Sequence, residues 1–173
     1  KARKIRNLIL SAPVDRGAFP AILSHQIING IRHDRWIPHA HWVGGSIPYQ
    51  TQIAPPTDQP AYSSMDMAWT SFWMLRWHNE IEPVEEFLIR AVNCGDLLLK
   101  AQLPSGAVPV WLNKDTLDPL YLLRENPSAA AAGLLLSKQY ELTQEERFLH
   151  AAQRVADFMA LRCTPEGWTD YES

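Results

Sequence analysis

Apolar residues recur at helical spacing in five stretches, which predict helices over residues 3–10, 65–79, 83–101, 129–140 and 144–162. The second and fourth stretches are apolar on nearly every side, which is typical of a helix that is buried all round. The others place charged residues opposite an apolar face, as a half-exposed helix does. The pattern therefore predicts two kinds of helix, buried and amphipathic, that follow one another along the chain.

The helix ends and the intervening segments have their own signals. Ser64 is a predicted N-cap for the second helix, Pro83 stands at an N1-like position of the third, and Thr143-Gln144-Glu145-Glu146 has the form of a capping box. Residues 21–31 are predicted to form a short helix, and residues 32–63 an irregular loop interrupted by proline and glycine. Because disordered segments contain few aromatic residues, the Trp and Tyr side chains of that loop predict that it is ordered.

A helix and the turn that follows it are repeated. An offset of 61 residues aligns residues 87–106 with residues 148–167 and gives six identities over twenty positions. The last two identities are the proline and the glycine of a Pro-x-Gly turn. The turns near 13–23 and 104–112 share Gly-Ala-Φ-Pro-Φ-Φ-Leu, where Φ is apolar, and the turn near 165–172 shares only its Pro-x-Gly opening. Repeated helix-and-turn units predict stacked helical hairpins with their turns on one face.

The repeat and the two kinds of helix together define a fold class. Each unit contains a buried helix, a short link, an amphipathic helix and a long polar-aromatic loop. Buried helices that are shielded by amphipathic ones form a double-layered ring. The sequence therefore predicts an all-α protein whose hairpins form part of a double-layered α/α toroid, as a single unit over residues 1–173.

Composition narrows the function classes. The chain has 173 residues, a net charge of −3 and no run of 18 apolar residues, so we expect neither a nucleic-acid partner nor a membrane span. Its two cysteines, Cys94 and Cys163, have no metal-type spacing and are predicted to be free thiols. Seven Trp and five Tyr are many for this length, and several of them stand in loops.

The residues of the second half resemble those of the six-hairpin glycosidase superfamily, whose fold is an (α/α)6 toroid. The resemblance covers residues 62–173 and rests on Met67-Ala68-Trp69-(x)5-Leu75-Arg76, on the segment 102–109, and on Ala129-Ala130-(x)4-Leu135-(x)4-Tyr140 with its continuation to Ala152. It implies a chain that supplies between two and three of six hairpins. It also implies a carbohydrate-active enzyme with no cofactor, most simply a glycoside hydrolase, with its substrate cavity at the rim where the loops enter the inner helices.

Acidic residues at that rim are the candidates for catalysis. Glycoside hydrolysis uses two carboxyl groups, one of them held protonated by an apolar setting. Asp66 lies between Met65 and Met67 and is the first candidate. Asp170 and Glu172 alternate along the chain, so both carboxyls point the same way if the segment is extended. Each also has a structural interpretation: Asp66 as a carboxylate that complements the helix dipole, the other two as members of a solvated loop.

Aromatic and polar residues of the loops are the candidates for binding a sugar, since the apolar faces of pyranose rings stack on Trp and Tyr. The candidate substrate-binding residues are Trp36, His39, Trp42, Tyr49, Tyr62, Trp69, Trp111, Asp118 and Tyr171. The structural alternatives are that the aromatic side chains belong to the core and that Asp118 and Asp115 are turn residues. Asp96 and Asp157, which the repeat aligns, are predicted to be structural.

Two further functions stay open at this level. His33-Asp34 is a candidate acid/base pair for a sugar epimerase or polysaccharide lyase on the same scaffold, because histidine titrates near neutral pH. His39 and His41 have strand spacing, but no third ligand stands at a recognisable distance, so we predict no metal site. A helical-repeat module that binds without catalysis is the remaining alternative.

Overall fold

The computed structural model describes residues 2–20, 22–37, 60–120 and 124–163. Its elements, in chain order, are α1 (Ala2–Leu10), β1 (Ile22–Ile28), β2 (Ile31–Ile37), β3 (Ala61–Ser63), α2 (Ser64–Glu80), α3 (Glu85–Ala101), β4 (Trp111–Asn113), α4 (Ala129–Thr143), α5 (Glu146–Phe158) and a π-helical turn (Met159–Cys163). The protein is mostly helical, as predicted. None of the helices in these ranges has the length and apolarity that crossing a bilayer requires.

The helices form two hairpins. α3 packs on α2 and α5 packs on α4, while α2 and α4 lie against each other and α3 also reaches α4. The core between them is built from the apolar faces of all four helices, with Phe87 and Phe148 fully buried at equivalent positions of α3 and α5. In each hairpin the helix predicted to be buried therefore lies against the other buried helix and against its own amphipathic partner. A closed ring is not formed by the described residues.

The repeated turns are built alike. Gly17 and Gly106 have φ of +90° and +94°, and each lies directly on the backbone of an amphipathic helix: Gly17 on Asn93 of α3, Gly106 on Arg154 of α5. Asn93 and Arg154 are themselves 61 residues apart. The Ala-Φ-Pro segments that follow the two glycines are buried. The repeat is therefore a packing unit, in which each turn is seated on the amphipathic helix of the next hairpin.

Polar contacts hold the two turns and the hairpins together. The Arg90 side chain of α3 donates hydrogen bonds to the carbonyls of Leu10 (2.9 Å) and Ala12 (2.9 Å), at the end of α1. Asp96 accepts a hydrogen bond and ion pair from Arg147, which joins α3 to α5. The structural role predicted for Asp96 agrees with this contact.

The helix predicted over residues 21–31 was wrong, because residues 22–31 belong to two strands and the turn between them. β1 and β2 form an antiparallel hairpin in which Ile28 pairs with Ile31 across the turn Asn29-Gly30. Both turn residues have positive φ, 51° and 77°, as a two-residue hairpin of this kind requires. The Asn-Gly pair between β-branched residues is a strong hairpin signal that the helical interpretation overlooked.

Two other predictions from the sequence are corrected. The all-α class is too narrow, because β3 and β4 form a second small antiparallel sheet in which Ser63 pairs with Trp111, and residues 32–63 are not wholly irregular. The capping box is also wrong. Gln144 ends α4 in the left-handed conformation, Thr143 donates back to Gln139 at 2.8 Å, and α5 begins after Glu145.

Candidate functional site

The start of α2 is fixed by the small sheet and by a serine cap. Ser63 is the N-cap, one residue before the predicted Ser64, and its Oγ accepts a hydrogen bond from the Asp66 N–H at 3.2 Å. The buried Ser64 hydroxyl donates to the Pro109 carbonyl at 2.6 Å. These contacts tie the first turn of α2 to the loop that precedes β4. Asp66 is thus held in the first turn, where the helix dipole stabilises its carboxylate, and it is partly exposed.

An aromatic patch follows Asp66 along α2, formed by Trp69, Phe72 and Trp73. The Trp69 and Phe72 rings are stacked with centroids 5.7 Å apart, and Trp73 meets Trp69 edge-on at 5.9 Å. Both tryptophans are 47% exposed, so α2 is not buried all round as its composition suggested. Arg76 extends the patch by lying over the Trp73 ring at 4.9 Å. Single exposed apolar side chains are ordinary on protein surfaces, but a contiguous patch of aromatic rings suits a ligand or a partner.

A groove of about 290 Å³ lies beside this patch, between the N-terminal halves of α2 and α4. It is lined by Met65, Trp69, Pro127, Ser128, Ala130, Ala131 and Leu134. Small alanine side chains on α4 leave room opposite the Trp69 ring. Since Asp66 and Trp69 are three residues apart on one helix, the carboxylate and the indole project from neighbouring positions of the same face. The Asp66 carboxylate therefore lies next to an apolar surface.

Two of the predicted sugar-binding aromatics belong to the core. Trp111 is 2% exposed and packs with Ala61 and Val110, so it has no free face for a ligand. Tyr62 is also buried, and this burial raises the pKa of its hydroxyl. The prediction that Trp111 and Tyr62 stack on a substrate is therefore contradicted: the short strands β3 and β4 turn these two side chains inward.

Asp118 and Trp36 have structural contacts. The Asp118 N–H donates to Thr116 Oγ1 at 3.2 Å and its carbonyl accepts from the Asn113 N–H at 2.9 Å, which makes it a turn residue after β4. Trp36 Nε1 donates to Ser11 Oγ at 3.0 Å and so joins β2 to the end of α1. Asp118 remains exposed and Trp36 partly exposed, but neither lines the groove beside Trp69.

The candidate acid/base pair His33-Asp34 lies in β2, where adjacent side chains point to opposite faces of the strand. Asp34 Oδ1 accepts a hydrogen bond from Arg32 Nε at 2.6 Å. The role of the two residues as acid and base stays a prediction.

Six predicted site residues lie outside the described residues: His39, Trp42, Tyr49, Asp170, Tyr171 and Glu172. Within the described ranges, no three His, Cys, Asp or Glu side chains come close enough together to hold a metal ion. Trp73 stands in the helix that was predicted to be buried all round and is instead a main part of the patch. The signal that could have found it is the i, i+3, i+4, i+7 spacing of Trp69, Phe72, Trp73 and Arg76, which places all four on one helical face.

Cys94 is a buried thiol between the two hairpin layers. It is fully buried in α3, and burial raises its pKa from 9.0 to about 12, which the Ser71 hydroxyl opposes only in part. Its thiol is therefore neutral at physiological pH and unreactive, as the sequence predicted for a free core cysteine.

We expect Cys94 to react with an aromatic disulfide reagent at pH 8 at least about 100-fold more slowly in the folded protein than in urea, because only the exposed thiolate is nucleophilic. A Cys163→Ser background isolates the Cys94 signal.

Burial of Cys94 also sets a pH dependence of stability. The neutral thiol stabilises the fold fully below pH 9.0, and this contribution is lost as the pH rises toward about 12. Compared with Cys94→Ala, the free energy of unfolding should fall by about 1.4 kcal/mol per pH unit in that window. Equal slopes in the two proteins would contradict the burial of this thiol.

The fold and the patch define a mostly helical protein of repeated hairpins with an acidic, aromatic surface at the start of one buried-type helix. No protein-family model, curated protein or solved structure matches the chain significantly.

Proposed function

We propose that this protein binds and cleaves a glycan, as a glycoside hydrolase whose hairpins form part of an (α/α)6 toroid. The observation that carries the proposal is the exposed Trp69 ring one helical turn after Asp66, beside a groove of about 290 Å³. Sugar rings present apolar faces that stack on exposed indoles and hydroxyls that need carboxylates. A surface that places both chemistries on adjacent positions of α2 suits such a ligand.

Asp66 is the catalytic carboxyl in this proposal. Hydrolysis of a glycosidic bond needs a proton donor and a second carboxylate about 5–10 Å away. Met65 and Trp69, which flank Asp66 on α2, line the groove with apolar side chains. Asp170 and Glu172 are the proposed source of the second carboxylate. The hairpin repeat, with inner helices α2 and α4 and outer helices α3 and α5, supports the proposed ring.

The test uses a panel of soluble oligosaccharides, with new reducing ends as the measure of cleavage. We expect Asp66→Asn to lower kcat at least about 100-fold and to leave binding nearly unchanged, because it removes a proton donor and keeps the shape. Trp69→Ala should raise KM about tenfold, the effect of roughly 1.4 kcal/mol of lost stacking. Asp157→Asn, on the exposed face of α5, is the matched control and should do neither.

Other outcomes separate the competing functions. Full cleavage by Asp66→Asn rejects Asp66 as the acid. Products with a new carbon–carbon double bond indicate a lyase, and glycan binding with no cleavage indicates a non-catalytic module. If no glycan of the panel binds the wild-type protein, the proposal fails as a whole.

A further inference from the structure

A second groove has a volume of about 260 Å³. It runs between α1 and the C-terminal half of α2 and is lined by Ile5, Ile9, Trp73, Met74, Arg76, Trp77, Glu80, Ile81 and Phe87. Nearly all of these side chains are apolar, and the charged pair Arg76–Glu80 forms one rim, joined by a hydrogen bond of 2.6 Å. The groove shares Trp73 and Arg76 with the aromatic patch, but none of its lining residues lines the groove beside Trp69.

The repeat shows which helix α1 corresponds to. Gly17 and Gly106 are 89 residues apart and have the same packing, so α1 aligns with α3 at that offset and with α5 a further 61 residues on. Arg90 of α3 receives the end of α1 through the carbonyls of Leu10 and Ala12. By both its exit turn and its neighbour, α1 is an amphipathic helix of the α3 and α5 kind.

Equivalent positions of the three helices differ sharply in exposure. Ile5 is 53% exposed, whereas its counterparts Cys94 in α3 and Val155 in α5 are 0% and 2% exposed. Leu8 is 44% exposed, whereas its counterparts Leu97 and Phe158 are 6% and 3% exposed. α3 and α5 bury these positions because each packs against a buried-type helix, α2 or α4. Among the described residues, no such helix packs against α1.

The place of that helix follows from the hairpins that are present. α2 lies in front of α3 and beside α4, in contact with both. The same arrangement, applied to the repeat unit before the α2–α3 hairpin, places a helix in contact with both α1 and α2. The groove lined by Ile5, Ile9 and Trp73 lies at this position. The groove therefore lies where the repeat places a further inner helix, and its walls come from α1 and α2.

We propose that this groove is the docking site of one further apolar α-helix, which packs on α1 as α2 packs on α3 and α4 on α5. The chemistry of the occupant is set by the residues that α2 and α4 bury at equivalent positions. These are Ala68 and Ala129, Ser71 and Ala132, Met74 and Leu135, and Leu75 and Leu136. The partner helix has a small residue, a second small residue three positions later, and two large apolar residues three and four positions after that. A second folded copy does not offer such a face, since its own α2 and α4 already bury it.

The probe is a fluorescein-labelled peptide of residues 129–143, stapled across the exposed positions of Ser137 and Glu141 to hold it helical. This peptide contains the required pattern. We expect it to bind the protein saturably, by fluorescence anisotropy, and a peptide with Leu135→Asp and Leu136→Asp to bind at least tenfold more weakly. In the protein, Ile5→Asp should weaken binding of the unaltered peptide at least tenfold.

The matched control is Ile89→Asp, which places the same charge on an equally exposed isoleucine of α3 outside the groove. It should change binding less than twofold. Absence of saturable binding, equal effects of Ile5→Asp and Ile89→Asp, or equal binding of the two peptides would each overturn the proposal. So would a concentration-dependent increase in mass that Ile5→Asp abolishes, because the occupant would then be a second copy. Failure of the glycan test leaves this result untouched, since the two sites share no tested residue.

Discussion

Gly106→Ala is expected to lower the free energy of unfolding by about 3–5 kcal/mol, and Gly17→Ala by a similar amount. Two effects add at each position. A φ near +90° costs a non-glycine residue about 1–2 kcal/mol, and a Cβ would overlap a backbone carbonyl oxygen, that of Arg154 or Asn93, which cannot move away without shifting a helix. Chemical denaturation measures this loss of stability. It is followed by circular dichroism at about 222 nm, which reports the helix content of the whole fold.

Gly30→Ala is the matched control for this prediction. Gly30 has a positive φ of 77°, but nothing lies within 4 Å of the Cβ that the substitution adds. We therefore expect only the conformational cost of about 1–2 kcal/mol, confined to the turn of the β1–β2 hairpin. If all three variants lose the same free energy of unfolding, the close approach of the repeated turns to α3 and α5 does not contribute to the loss at Gly17 and Gly106.

Trp111→Ala is expected to destabilise the fold by about 3–5 kcal/mol, whereas Trp69→Ala should cost less than about 1 kcal/mol. Trp111 is buried with Ala61 and Val110 beneath the β3–β4 pair, so its removal leaves a cavity next to the start of α2. Trp69 is half-exposed and its loss leaves no void. Urea midpoints at constant m-value measure both.

The same pair of variants separates core residues from binding residues. Trp69→Ala should keep a near-native fold and lose glycan affinity, whereas Trp111→Ala should lose stability before any specific effect on binding. A stable Trp111→Ala with impaired glycan binding would restore Trp111 as a contact residue. It would also contradict the burial on which its reassignment rests.

The candidate site could be predicted only where its residues are close in sequence. Asp66 and Trp69 were identified because a helix converts their spacing of three into a shared face, and a helix is what apolar periodicity predicts best. Trp73 was missed because an apolar residue in an apolar helix is expected to lie in the core. Its exposure becomes known only when its neighbours in the folded structure are known. Trp111 was misassigned because a polar stretch follows it from Asn113, while Ala61, its neighbour in space, comes from a strand 50 positions earlier.

The sequence by itself determined the helices, their alternation between buried and amphipathic kinds, and the repeat that relates one hairpin to the next. These follow from local periodicity and from glycines whose backbone conformation few other residues adopt. Only the tertiary structure decided that Tyr62 and Trp111 turn inward and that Ile5 and Ile9 line an open groove. Burial depends on which segments meet, and that pairing is set by the packing of the whole core rather than by any one stretch of the chain.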